Sequence, residues 1–138
     1  MRIAPDLESL ERFHPAGAYR REIEGADFSL EANTEAVPEQ GPFYLLRRGR
    51  VLFKSTAFRE ALAAYRQLCR EYWQQHLNSA NLRERLASAW GLLGLDPQDR
   101  EAAAVIEEEG DPQARQRLSQ MRRRAATRGR LLRRRAAS

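Results

Sequence analysis

One cysteine, two histidines and one lysine are the scarcest chemistry in this 138-residue chain. Cys69, His14 and His76 lie far apart, so no metal-ligand spacing exists and no metal site is expected. A secreted domain this short would be expected to carry paired cysteines, and the lone Cys69 places the chain in the cytoplasm. No apolar run approaches the roughly 18 residues of a membrane span, and the first residues show no charged segment followed by an apolar one. Neither a membrane anchor nor a signal peptide is expected. A glycine-rich phosphate loop, a nucleophile elbow and a carboxylate pair in apolar surroundings are missing too. Glu60 and Glu71 fall among exposed helix positions with arginine neighbours and read as surface ion pairs. The expectation is a protein that is not an enzyme and needs no cofactor.

Arginine is what the chain has in excess. Of 24 basic residues only Lys54 is a lysine. Residues 111–138 hold ten arginines against one aspartate, a local charge of +9, which leaves −4 on the first 110 residues. The guanidinium is planar and donates two parallel hydrogen bonds, a fork that fits phosphate and carboxylate oxygens where lysine offers a point charge. A GC-rich genome enriches arginine as well, through its codons.

The centre of the chain is the stretch from Gly41 to Leu77. Two apolar runs, Phe43 to Leu46 and Val51 to Phe53, flank Arg47-Arg48-Gly49-Arg50, whose glycine supplies the positive φ a tight hairpin needs. Ser55 and Thr56 offer capping hydroxyls. The inward positions then recur at Phe58, Ala61, Leu62, Tyr65, Leu68, Cys69, Tyr72, Trp73, His76 and Leu77, a helical period that puts Cys69 on the buried face.

Residues 1–40 read as an arm, partly irregular, with a short helix from Pro5 through Phe13 ended by Pro15 and Gly17. After the long helix, Asn78 to Asn81 signal a loop and cap, Leu82 to Leu93 a second helix, and Gly94 its C-terminal stop. Asp96-Pro97 opens a third helix, with Asp99 in its first turn. Glu107-Glu108-Glu109 sit at that helix's negative end, an arrangement that invites a cation, the arginine tail being nearest, or else stays solvated. Asp111-Pro112 starts a last helix carrying Ala114, Leu118, Met121 and Ala125 on a narrow apolar stripe, with Gly129 breaking it. The fold expected is mainly α with a small β-hairpin, an α+β chain in which the hairpin packs on a long amphipathic helix followed by two or three shorter ones. Its divisions are an arm at 1–40, a core at 41–110 and an arginine-rich helix and tail at 111–138.

The short segment Leu93-Gly94-Leu95-Asp96-Pro97, with Arg100 three residues on, resembles one near the end of some phage small terminase subunits. The similarity covers fewer than ten residues. That resemblance implies DNA binding and ring formation.

Two functions fit these features. In the first, a nucleic-acid-binding protein sets Arg115, Arg117, Arg122, Arg123, Arg124, Arg128, Arg130, Arg133, Arg134 and Arg135 on phosphates, with Arg47, Arg48, Arg50 and Lys54 of the hairpin as a second contact. In the second, an adaptor or assembly subunit, including a phage DNA-packaging type of oligomer, docks its basic tail on an acidic protein surface. A core of about 70 residues is marginal alone, which favours a homo-oligomer or a larger complex in either case.

Overall fold

The computed structural model of the chain describes residues 2–12, 17–33 and 41–137. The fold is α+β, and among the described residues it has five strands followed by four α-helices. The expectations on Phe13, His14 and Pro15 lie outside the described residues. Two compact units divide the chain, Met1–Cys69 and Arg70–Ser138, and the boundary falls inside the long helix α1, Phe58–His76.

The first unit holds one sheet whose strands lie side by side in chain order: β1 Arg2–Ile3, β2 Ala18–Arg20, β3 Phe28–Ala32, β4 Phe43–Arg47 and β5 Arg50–Ser55. β1 runs parallel to β2, and every other neighbouring pair is antiparallel. Alternation sends Phe28, Leu30, Ala32, Phe43 and Leu45 to one buried face. The N-terminal turns of α1 supply Phe58, Ala61, Leu62, Tyr65 and Cys69 to the same core. Phe28 meets Tyr65 edge-on at 5.7 Å between ring centroids, and Phe43 meets Phe58 at 5.3 Å, geometries that aromatic quadrupoles favour. The Glu22 backbone N–H donates to the Tyr65 hydroxyl at 2.7 Å, tying the loop after β2 to the helix.

The described residues before Gly41 carry more regular structure than an irregular arm requires. They contribute three of the five strands, a short 3-10 helix at Glu8–Arg12, and core residues Leu10, Ile23, Phe28 and Leu30. Strands of two to five residues are too short to display a period, and their position is set by partners far along the chain. The hairpin is tighter than a four-residue turn. Arg48 at φ 51° and Gly49 at φ 78° are its two central residues, and Arg47 pairs with Arg50 across it. Two successive positive φ values match the right-handed twist of the strands.

α1 opens with the Ser55 hydroxyl, which accepts from the Ala57 N–H at 2.9 Å and donates to Glu60 at 2.8 Å. The second unit contains the end of α1, then α2 Leu82–Leu95, α3 Arg100–Glu109 and α4 Pro112–Ala137. Asn81 caps α2 by accepting from the Arg83 and Glu84 N–H groups. Gly94 does not stop that helix, which continues to Leu95 and closes on Asp96. The cap of α3 is Asp99, accepting from Ala102 N–H at 3.0 Å, and not Asp96. Asp96 instead accepts from Gln98 N–H and from Asp99 N–H, forming a turn that postpones the helix. Asp111 does cap α4. Gly129 leaves α4 unbroken, so the last helix has 26 residues and is longer than the 19 of α1. One interior glycine costs about 1 kcal/mol, which the helix-forming Arg, Leu and Ala around it offset.

Leu77, Ala89, Leu92, Leu93, Ala102, Ala103, Ile106 and Leu118 form the core of this unit, with Trp73, Leu86, Trp90, Ala114 and Met121 packed against it. The first half of α4 thus belongs to the same core as α2 and α3. A division at residue 110 would cut through it.

Candidate nucleic-acid interface

The basic residues singled out in the sequence fall on two elements, one in each unit. At the hairpin, the turn brings Arg47, Arg48 and Arg50 together, while Lys54 lies further along β5 and faces away from solvent no more than they do. Two of the three arginines are already engaged. Asp27, just before β3, pairs with Arg47 at 3.3 Å and Arg48 at 3.0 Å, and its carbonyl accepts from the Arg48 N–H at 2.9 Å. Arg47 also stands 5.8 Å from the centroid of Phe28. Arg50 is exposed and has no ion pair among the described residues. Asp27 was invisible to a reading that looked for cations only; the register of β3 against β4, which sets Phe28 opposite Arg47, is what puts it at the tip.

α4 is different. Its 26 residues contain ten arginines and no acid. At 1.5 Å rise per residue the helix is about 39 Å long. Among its described residues only Leu118 is fully buried, with Ala114, Met121, Ala125 and Gly129 half-buried along one narrow stripe, and the arginines are all exposed. They form three rows. Arg117, Arg124, Arg128 and Arg135 recur at i, i+7, i+11 and i+18; Arg115, Arg122 and Arg133 make a second row and Arg123, Arg130 and Arg134 a third. Residues seven apart are two turns, or about 10.5 Å, apart along the axis.

Some of these cations are held in place. Arg117 sits over the Trp90 ring of α2 at 4.4 Å from its centroid, a cation–π contact that fixes the start of the first row. Arg122 pairs with Glu107 at 3.0 Å. A shallow concavity of about 300 Å³ runs beside the first row, bounded by Pro97, Gln120 and Met121 as well as Arg117, Arg124 and Arg128. The acids closing α3 thus divide. Glu107 does meet the arginine-rich helix, whereas Glu109 takes a two-pronged bond from Arg85 of α2, at 2.6 and 2.8 Å. Those hydrogen bonds hold the Glu109 carboxyl below its ordinary range and raise the Arg85 guanidinium further. Trp90 as a guanidinium platform had no signal in the sequence beyond its place on an amphipathic helix.

Among the described residues, no group of three or more His, Cys, Asp or Glu side chains is placed to hold a metal ion, and no helix is long and apolar enough to cross a membrane. No family model, no curated protein and no solved structure matches the chain.

Proposed function

We propose that this is a non-enzymatic, cytoplasmic nucleic-acid-binding protein whose contact surface is α4. One observation carries the reading: a continuous 26-residue helix with ten arginines and no acid, whose only fully buried side chain is in its first half. Cations on three rows leave uncharged only the narrow stripe that runs through Ala125 and Gly129. A helix of that kind fits a major groove about 12 Å wide while guanidinium forks reach the phosphates on both flanks. Each phosphate neutralised releases condensed counterions, so affinity would come mainly from salt-sensitive backbone contacts with little base readout. Arg50 at the hairpin supports a weaker second contact, because Asp27 already neutralises Arg47 and Arg48.

The adaptor reading has one observation in its favour. Arg122 engages a carboxylate within the chain, so α4 is able to pair with acidic protein surface. In that case the protein would be a subunit of a larger complex or of a homo-oligomer. Anisotropy of a labelled 30-mer duplex titrated with the full chain, beside a nuclease-treated pull-down, separates the two. Nucleic-acid binding predicts tight binding at low salt and an emptied pull-down, and an adaptor predicts the reverse.

A further inference from the structure

The face of the sheet opposite α1 carries an open concavity of about 610 Å³, within the range of small-ligand sites. Its floor is built by register. Glu31 on β3 is directly opposite Tyr19 on β2, which lines the concavity with it, and opposite Tyr44 on β4, which lies outside the concavity and pairs in turn with Lys54 on β5. Directly opposite residues on one face of a sheet have Cβ atoms about 5 Å apart. Ile3 continues the row beyond Tyr19, and Leu46 lies opposite Ser29 in the next one.

Ser29 points to a ligand. It lines the concavity, it is only 8 % exposed, and among the described residues its hydroxyl has no hydrogen-bond partner. Every fully enclosed side-chain polar atom among the described residues does have a partner, so the Ser29 hydroxyl opens on the concavity. A polar group so nearly buried costs free energy unless something bonds to it. The charges choose the ligand. Glu22, Glu24, Asp27 and Glu31 line the concavity against Arg21 and Arg48, so carboxylates outnumber guanidinium groups there. Glu22 and Asp27 are paired with arginines, while Glu24 and Glu31 have no ion pair among the described residues, Glu31 accepting a 3.4 Å bond from Asn33. An aromatic ring beside a carboxylate attracts cations that carry apolar stems.

We infer that this face binds an organic cation of the alkylammonium or guanidinium class, seated on Glu31 beside Tyr19, with one N–H donated to the Ser29 hydroxyl. The stem rests on Ile3 and Leu46. Such a cation comes either from a free amine or from an arginine or lysine side chain of a protein, and the chemistry at Glu31 is the same. This site belongs to the first unit and does not depend on what α4 binds.

The test uses the full chain, with agmatine and a short capped peptide holding one arginine as probes and glutarate as the anionic control. Amide shifts of Tyr19, Ser29 and Glu31 are followed by NMR. Saturable shifts with either cation and none with glutarate are expected, and the tighter of the two probes identifies the source. Glu31→Gln should weaken binding by about tenfold or more. If that variant fails to fold, Tyr19→Leu reports the same loss through the aromatic wall. Absence of saturable binding by both cations, or affinity left unchanged in the folded variant, overturns the inference.

Discussion

The Trp73 indole fills the space a side chain at Gly91 would need, so that a Cβ built there would overlap the ring carbons. Both residues belong to the second unit, where Trp73 packs against the core from the end of α1 and Gly91 lies in the middle of α2. Gly91→Ala should therefore destabilise this unit by about 1 to 3 kcal/mol through overpacking. In a Trp73→Ala background the sign should reverse. With the indole gone, alanine gains about 1 kcal/mol over glycine in a helix interior. Urea melts of the four chains give the coupling directly, and additive effects would contradict the contact.

Tyr65 offers a second test, because its ring is fully buried while its hydroxyl accepts from Glu22 N–H. Tyr65→Phe keeps the packing and removes the acceptor. A loss of about 1 kcal/mol is expected, the net value of one such bond. Hydrogen exchange at the Glu22 amide should also accelerate, and an unchanged rate would show that the bond does not hold the loop after β2.

Burial gives the first unit an alkaline limit. Desolvation pushes the Cys69 thiol from its ordinary 9.0 up to about 11 and raises the Tyr65 phenol as well. Both groups are neutral in the folded chain at a pH where the unfolded chain has begun to ionise. Their contribution is fully present below pH 9, and it falls as pH rises from there toward 11. Chemical denaturation from pH 8 to pH 11 should show that decline, reduced in Cys69→Val. The same burial predicts that Cys69 resists alkylation until the chain unfolds.

The helical half of the molecule was largely legible in the sequence, and the strands at its start were not. The period from Phe58 to Leu77, the Asn81 cap and the stripe of Ala114, Leu118, Met121 and Ala125 are local signals, written within a few turns. Tyr19 and Glu31 acquire their places only through pairing with residues a dozen or more positions away, which no local pattern encodes. Asp99 displaced Asp96 as a cap because two aspartates compete for one helix start and the turn at Pro97 favours the later one. At the candidate interface the arginines were plain from composition. Their partners were not: Asp27 and Trp90 are set by strand register and helix packing.

Stability separates the two halves of α4. Leu118 is 2 % exposed in the core of the second unit, so ending the chain after Gly110 should cost several kcal/mol as the packing of Ala114, Leu118 and Met121 is lost. Ending it after Thr127 removes no buried residue among those described, Gly129 being half-buried and the rest exposed, and should shift the thermal midpoint by no more than about 2 °C. A large drop for the longer chain would show that the exposed half of α4 packs on something.

That longer chain tests the central claim, since it loses Arg128, Arg130, Arg133, Arg134 and Arg135 and is expected to keep the fold. The decisive measurement is the dependence of log Kd on log salt for a labelled 30-mer duplex, compared between the full chain and the chain ended after Thr127. If about six arginines reach phosphates, the association constant of the full chain should fall with a slope of about −5, at roughly −0.9 per contact. Removal of five arginines should bring the slope to about −2 or −3 and weaken binding by about tenfold or more near 100 mM salt. Equal slopes for the two chains, or no binding by the full chain at about 150 mM salt, would contradict the assignment of nucleic-acid binding to α4.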